Sequence, residues 1–169
     1  MEASHHILIA VDETEASTQA VRYVSRIVGK SEDISIYLFH VLPPIPPQLL
    51  EFGGAENPER EQRLSTDLKK AQAEWIENAK AAASRSLDLA HKILIDTGIS
   101  PARISTRFSS SIHKPNVVRE ILEAAEQYQC GTIVVGRHRL PWAQELFHRH
   151  TGEVLVETGR ERCVWVVAC

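Results

Sequence analysis

The hydrophobic residues of the chain follow two patterns, which alternate along most of the sequence. Five short segments are apolar and rich in β-branched residues, and several of them are continuous apolar runs rather than alternations. Such runs are typical of strands that are covered on both faces, as in a parallel sheet. The predicted strands are 6–11, 34–41, 102–109, 132–136 and 163–168.

Between these strands, apolar residues recur at helical spacing. The pattern predicts helices over 16–28, 117–129 and 142–157, and Gly29 ends the first. A longer helix is predicted to start at Pro58, with Asn57 as its cap, and to continue to Ile95. We interpret residues 43–62 as a surface loop insertion before this helix, within a single domain that spans 1–169.

Strands that alternate with helices predict an α/β fold with a doubly wound, mostly parallel sheet. Ligands of such sheets bind beyond the carboxyl ends of the strands, where the winding direction reverses. The loops after Val11 and after Gly136 are therefore the candidate binding loops.

Composition narrows the possible functions. The formal net charge of −3 argues against general nucleic-acid binding, which requires a strong positive field. The sequence shows neither a signal peptide nor an apolar run of the ~20 residues that a membrane span needs, so we expect a cytoplasmic protein without membrane contact. The three cysteines have no disulfide or zinc spacing and are expected to be small buried hydrophobes, and no metal site is predicted.

Four segments resemble the universal stress protein family: "ILIAVDETEAS", "YLFHVLPP", "GTIVVGRHR" and "CVWVVAC". The resemblance implies an adenine-nucleotide α-hydrolase-like fold with strand order 3-2-1-4-5. It also implies a homodimer that pairs the last strands, here residues 163–168. In nucleotide-binding members an aspartate and a valine contact adenosine, and Asp12 and Val41 hold those positions. The ligand that the resemblance suggests is ATP with magnesium.

The phosphate loop of the family departs from its pattern in this chain. That pattern reads Gly, two residues, Gly, nine residues, Gly, then Ser or Thr, since glycines let backbone N–H groups approach phosphate. Gly136 fits the first place, but Arg139 holds the second, and Arg149 with His150 holds the final pair.

Two interpretations of these basic residues stay open. Arg137, Arg139, Arg149 and His150 could bind phosphate through side chains in place of the glycines. Alternatively they form a solvated patch or pair with acidic residues such as Glu153, which the pattern favours somewhat. Two roles for Asp12 are weighed about evenly: it could contact a nucleotide or cap the following helix. The capping role is suggested by Glu15, which follows Asp12 at a capping-box-like spacing.

The leading functional hypothesis is a regulatory or interaction protein of stress response with an altered ATP loop. The first alternative is a sensor that binds an adenine nucleotide or another anion through arginines. The second is a slow nucleotide hydrolase, which is the weakest because no catalytic group of side chains is evident. His40, at the end of a predicted buried strand, is interpreted as a hydrogen-bonded core histidine rather than a catalyst.

Overall fold

A computed structural model describes residues 5–29, 31–50, 57–109, 116–137, 151–159 and 161–168 of the chain. Its five strands form one sheet in the order β3-β2-β1-β4-β5, and every neighbouring pair is parallel. The predicted fold class and strand order are confirmed. The strands are β1 His6–Ala10, β2 Ser35–His40, β3 Ile104–Phe108, β4 Thr132–Arg137 and β5 Cys163–Ala168.

Four α-helices connect or follow these strands within the described residues. They are α1 Glu15–Val28, α2 Pro58–Asp96, α3 Val117–Gln127 and α4 Thr151–Thr158. Single turns of 3-10 helix lie at Pro47–Leu49 and Pro101–Arg103. Residues 142–150 of the predicted last helix lie outside the described part of the chain.

Local capping explains where three of the helices begin. Asn57 caps α2 as predicted and accepts a hydrogen bond from the Glu59 backbone N–H at 2.9 Å. Residues 58–62 of the predicted insertion are consequently helical. Asn116 caps α3, whereas α1 is capped by Thr14 and not by Asp12.

Helix α2 is 39 residues long, but its two halves differ in packing. Its buried residues are confined to the second half: Ala83, Leu87, Ala90 and Leu94. The first half contributes no buried residue, although Gln72 donates a hydrogen bond to the Leu49 carbonyl at 2.6 Å. The sheet therefore anchors α2 through its carboxyl-terminal half.

Both faces of the sheet are covered, which explains the continuous apolar strands. One core cluster joins α1 and α2 to the sheet through residues such as Val24, Leu38 and Leu94. The other joins α3 and α4 to the opposite face through Ile121, Ile133 and Leu155. No helix in these described ranges combines the length and the apolar character that a membrane span requires.

The cysteine prediction is correct for one of the two described residues. Cys130 is buried, and its burial raises the pKa of the thiol to about 12. Cys163 is exposed because it begins β5, which pairs with β4 on one side and lies at the edge of the sheet. Cys169 lies outside the described residues.

Candidate functional site

A cleft of about 190 Å³ opens at the carboxyl ends of β1, β2 and β4. Three of the sequence-predicted site residues lie on it: Asp12 after β1, Val41 after β2 and Gly136 near the end of β4. Phe39 and Ile121 contribute apolar lining. A cleft with apolar walls and a few polar groups is the usual form of a small-molecule site.

The polar side of the cleft is the turn between β1 and α1. Oδ1 of Asp12 accepts hydrogen bonds from the Thr14 backbone N–H at 2.9 Å and from its hydroxyl at 2.6 Å. Thr14 Oγ1 accepts from the Ser17 backbone N–H at 3.2 Å, and Ser17 Oγ accepts from the Asp12 N–H at 3.0 Å. The turn is therefore fixed by a closed set of bonds, while no described residue bonds to Oδ2 of Asp12.

The end of β2 is bonded to the chain after β1 on one side and to the chain after β3 on the other, where the Ser109 N–H donates to the His40 carbonyl at 3.0 Å. The Val11 N–H donates to the Phe39 carbonyl at 2.8 Å, and Nδ1 of His40 lies 2.8 Å from the Val11 carbonyl. Since a carbonyl can only accept, Nδ1 carries the proton and Nε2 is the acceptor when the ring is neutral. The predicted hydrogen bond of His40 is confirmed, but the residue is half-buried and lines the cleft, so it is not a core histidine.

Val41 lies between two residues whose polar groups are engaged. On one side, His40 bonds through its ring; on the other, the Leu42 N–H donates to Ser109 Oγ at 2.8 Å. Within the described chain, neither the N–H nor the C=O of Val41 makes a hydrogen bond. Its backbone thus presents one donor and one acceptor beside the cleft.

Gly136 has a packing role that its sequence position did not reveal. A Cβ atom at this residue would lie 2.3 Å from the Ala16 carbonyl carbon and 2.6 Å from the Ser17 backbone nitrogen. The first turn of α1 therefore rests directly on the backbone of β4. Only glycine permits this approach, whether or not a phosphate binds nearby.

The basic segment that follows Gly136 is described only at its first residue. Nη2 of Arg137 lies 3.7 Å from Oε1 of Glu153 on α4, and Arg137 is not among the described residues that line the cleft. For Arg137, this contact agrees with the interpretation that the basic residues pair with acidic ones such as Glu153. Arg139, Arg149 and His150 lie outside the described residues.

Two hydroxyl residues at the cleft were missed by the sequence analysis. Ser17 belongs to the hydrogen-bonded turn, and Thr151, the first described residue of α4, lines the cleft. Thr151 could have been noticed, because it stands one residue after the place where the family pattern expects Ser or Thr. Ser17 closes the quoted segment "ILIAVDETEAS", but its bond to the Asp12 N–H depends on turn geometry that the sequence alone does not show.

Comparisons with known proteins agree with this architecture. A family model described as the universal stress protein family matches residues 3–158. No protein of curated function matches the chain.

Among solved structures, a universal stress protein family member from Burkholderia pseudomallei has a TM-score of 0.63 at 14% identity, covering 99% of this chain and 98% of that one. A universal stress protein from Archaeoglobus fulgidus, solved in complex with dAMP, has a TM-score of 0.56 at 16% identity, with 98% of each chain covered. A universal stress protein in complex with cAMP has a TM-score of 0.55 at 16% identity, covering 99% of this chain and 98% of that one. At these identities the structural likeness shows the fold.

Proposed function

The chain belongs to the universal stress protein family, and we propose that it is a cytoplasmic regulatory protein that binds an adenine nucleotide chiefly through the nucleoside. The observation that carries the proposal is the backbone N–H and C=O of Val41 beside the cleft, which make no hydrogen bond to any residue that the structure describes. The complexes of structural neighbours with dAMP and cAMP support the same ligand class.

The cleft matches the chemistry of adenosine at two points. Adenine presents an amino donor and ring-nitrogen acceptors on its edges, which are complementary to a backbone C=O and N–H such as those of Val41. In dinucleotide-binding α/β folds a carboxylate near the carboxyl ends of the strands accepts a hydrogen bond from a ribose hydroxyl group. Oδ2 of Asp12 fits this role, because the turn fixes the carboxylate through Oδ1.

The described residues offer fewer groups that could bind the phosphates of a nucleotide. The position of Gly136 is explained by the packing of α1, and Arg137 contacts Glu153. A carboxylate beside the candidate phosphate position would repel an anion. We therefore propose that adenosine, AMP and ATP bind with similar affinities and that magnesium adds little.

The test is isothermal titration of the purified chain with adenosine, AMP and ATP, with and without magnesium, at low and moderate salt. The variant Asp12→Asn should weaken adenosine about tenfold, because it replaces a hydrogen bond to a charged acceptor. Asp33→Asn is the matched control, since Asp33 is exposed just before the amino end of β2 and loses the same charge.

Three other outcomes point elsewhere. Salt-sensitive binding of ATP without binding of adenosine would favour the sensor that uses arginines, and alanine substitution of Arg137, Arg139 and Arg149 should then abolish binding. No binding of any nucleotide would leave a regulatory protein that acts through protein partners. Phosphate release above a protein-free control, lost in Asp12→Asn, would support a slow hydrolase.

A homodimer through residues 163–168 is proposed as the assembled state. Strand β5 pairs with β4 on one side and lies at the edge of the sheet, and Val166 is 39% exposed on it. An apolar edge strand invites pairing with another chain. Sedimentation at micromolar concentration should show a dimer that Val166→Lys dissociates, and a monomer in the unmodified protein would contradict the proposal.

A further inference from the structure

A second, smaller cavity lies between α3 and the carboxyl ends of β2 and β3. Its volume is about 110 Å³, and Phe39 separates it from the main cleft, because this residue lines both. Its polar lining consists of Ser109, Glu120, Glu123, Gln127 and Tyr128. Helix α3 packs on the sheet through apolar residues such as Ile121 and Ala124, so a carboxylate in this cavity is not needed for that packing.

Glu120 is the unusual member of this lining. Its side chain is 5% exposed, and no described residue donates a hydrogen bond or forms an ion pair with its carboxylate. The carboxylate of Glu120 is not fully removed from water, and a ligand in the cavity that Glu120 lines can reach it. Its place in the first turn of α3 provides favourable interaction with the helix dipole, but this does not occupy the carboxylate oxygens.

Two described arginines beside this cavity are bonded to other groups. Nε of Arg119 donates to Oε1 of Glu123, which itself lines the cavity, at 2.6 Å, and this bond is the main reason that the pKa of Arg119 lies above its usual value. Arg107 lies with its guanidinium carbon 5.5 Å from the ring centroid of Tyr128 and donates to the Thr106 carbonyl. Neither arginine forms an ion pair with Glu120, although the charge of Glu120 also contributes to the raised pKa of Arg119.

We propose that this cavity binds a primary alkylammonium group, with Glu120 as its counter-ion. An ammonium has three donors, and the cavity offers acceptors on Glu120, Gln127 and Ser109, whose hydroxyl oxygen accepts from Leu42 and retains a second lone pair. Phe39 and Ala124 provide apolar contact for a short alkyl stem. A divalent metal fits less well, because the described residues contain no group of three or more His, Cys, Asp or Glu side chains.

The proposal is tested by titrating the isotope-labelled full chain with ethylammonium chloride and following amide NMR signals. Saturable shifts are expected for the Ala124 backbone and the Gln127 side chain, with sodium and calcium chloride at matched ionic strength giving none. Glu120→Gln should weaken binding at least about tenfold, because it removes a charged acceptor. Glu126→Gln, an exposed carboxylate on the same helix outside the cavity, should change the affinity less than about twofold.

Two results would overturn the proposal: no saturable shift in the unmodified chain, or equal affinity in Glu120→Gln. Saturable shifts of the same NMR signals with calcium chloride would also overturn it and would indicate a metal-ion site instead. If Glu120→Gln does not fold, Gln127→Ala serves instead, because Gln127 is exposed and its loss should weaken binding about fivefold.

The affinities of two further probes distinguish a free amine from a lysine side chain as the source of the ammonium group. Tighter binding of 1,4-diaminobutane than of a blocked lysine peptide supports a free amine as the ligand. The opposite order supports a lysine side chain of a protein partner. Because adenosine binding is measured separately, failure of this site leaves the proposed function untouched, and the reverse also holds.

Discussion

The carboxyl ends of β1 and β4 lie side by side at one edge of the sheet, but different forces shape them. The end of β1 is a polar turn in which Asp12, Thr14 and Ser17 bond to one another. The end of β4 is a packing contact in which Gly136 meets the backbone of Ala16. The first end retains groups that can serve a ligand, whereas the second is explained by the structure of the protein itself.

This contrast shows that a glycine in a phosphate-loop position is ambiguous evidence. A phosphate needs a glycine so that backbone N–H groups can approach it, and a helix that rests on a strand needs a glycine for the same steric reason. At Gly136 the second requirement is sufficient. The phosphate function can therefore be lost from this loop while its first glycine persists.

The largest expected effect is that of Gly136→Ala on stability. The added Cβ would overlap backbone atoms of Ala16 and Ser17, which cannot rotate away, so α1 must shift and the free energy of unfolding should fall by about 3 kcal/mol. Urea unfolding of the purified variant measures this.

The matched control for this prediction is Gly152→Ala on α4. There the new Cβ would meet side-chain atoms of Val166 at 2.9 Å and of Val135 at 3.3 Å, and such atoms can move. A loss of about 1 kcal/mol is expected. Equal losses at the two positions would contradict the idea that the β4 end is defined by contact with a rigid backbone.

A smaller effect is expected at the β1 end for Ser17→Ala. Ser17 is buried, and its hydroxyl accepts from the Asp12 N–H, so the substitution leaves a backbone donor unsatisfied at a cost of about 1–2 kcal/mol. Urea unfolding measures the loss, and adenosine affinity should fall with it because Asp12 is less firmly held.

Ser84→Ala separates this effect from helix propensity. Ser84 is exposed on α2 and its hydroxyl donates to a carbonyl of its own helix, so alanine should be neutral or slightly stabilising. If Ser17→Ala were equally neutral, the closed set of hydrogen bonds would not be what fixes the β1 turn.

Features that depend on neighbouring residues in the sequence could be predicted. Apolar runs located the strands because both faces of a parallel sheet are covered, and Asn57 with Pro58 located the start of α2 because capping is local. The sequence also predicted that Asp12, Val41 and Gly136 lie close together, because parallel strands end at a common edge of the sheet.

Features that depend on distant contacts could not be predicted. The need for glycine at Gly136 comes from Ala16, about 120 positions earlier in the chain, and the burial of Glu120 depends on strands that pack against its helix. Cys163 is of a residue type that is usually buried, but it is exposed because β5 lies at the edge of the sheet. The assignment of the α1 cap to Thr14 rather than Asp12 depends on where the backbone turns.

The smallest expected effect is that of Arg137→Gln, and it bears most directly on the difference between the two strand ends. Arg137 and Glu153 are both partly exposed and 3.7 Å apart, so a double-mutant cycle with Glu153→Gln should give a coupling energy below about 1 kcal/mol. If the β4 end serves packing alone, Arg137→Gln should also leave the ratio of ATP to adenosine affinity unchanged within about twofold. A tenfold loss for ATP with adenosine unaffected would mean that Arg137 exchanges Glu153 for phosphate, as a bidentate arginine can. In that case both strand ends would bind ligand, and the arginine interpretation of the altered loop would be the correct one.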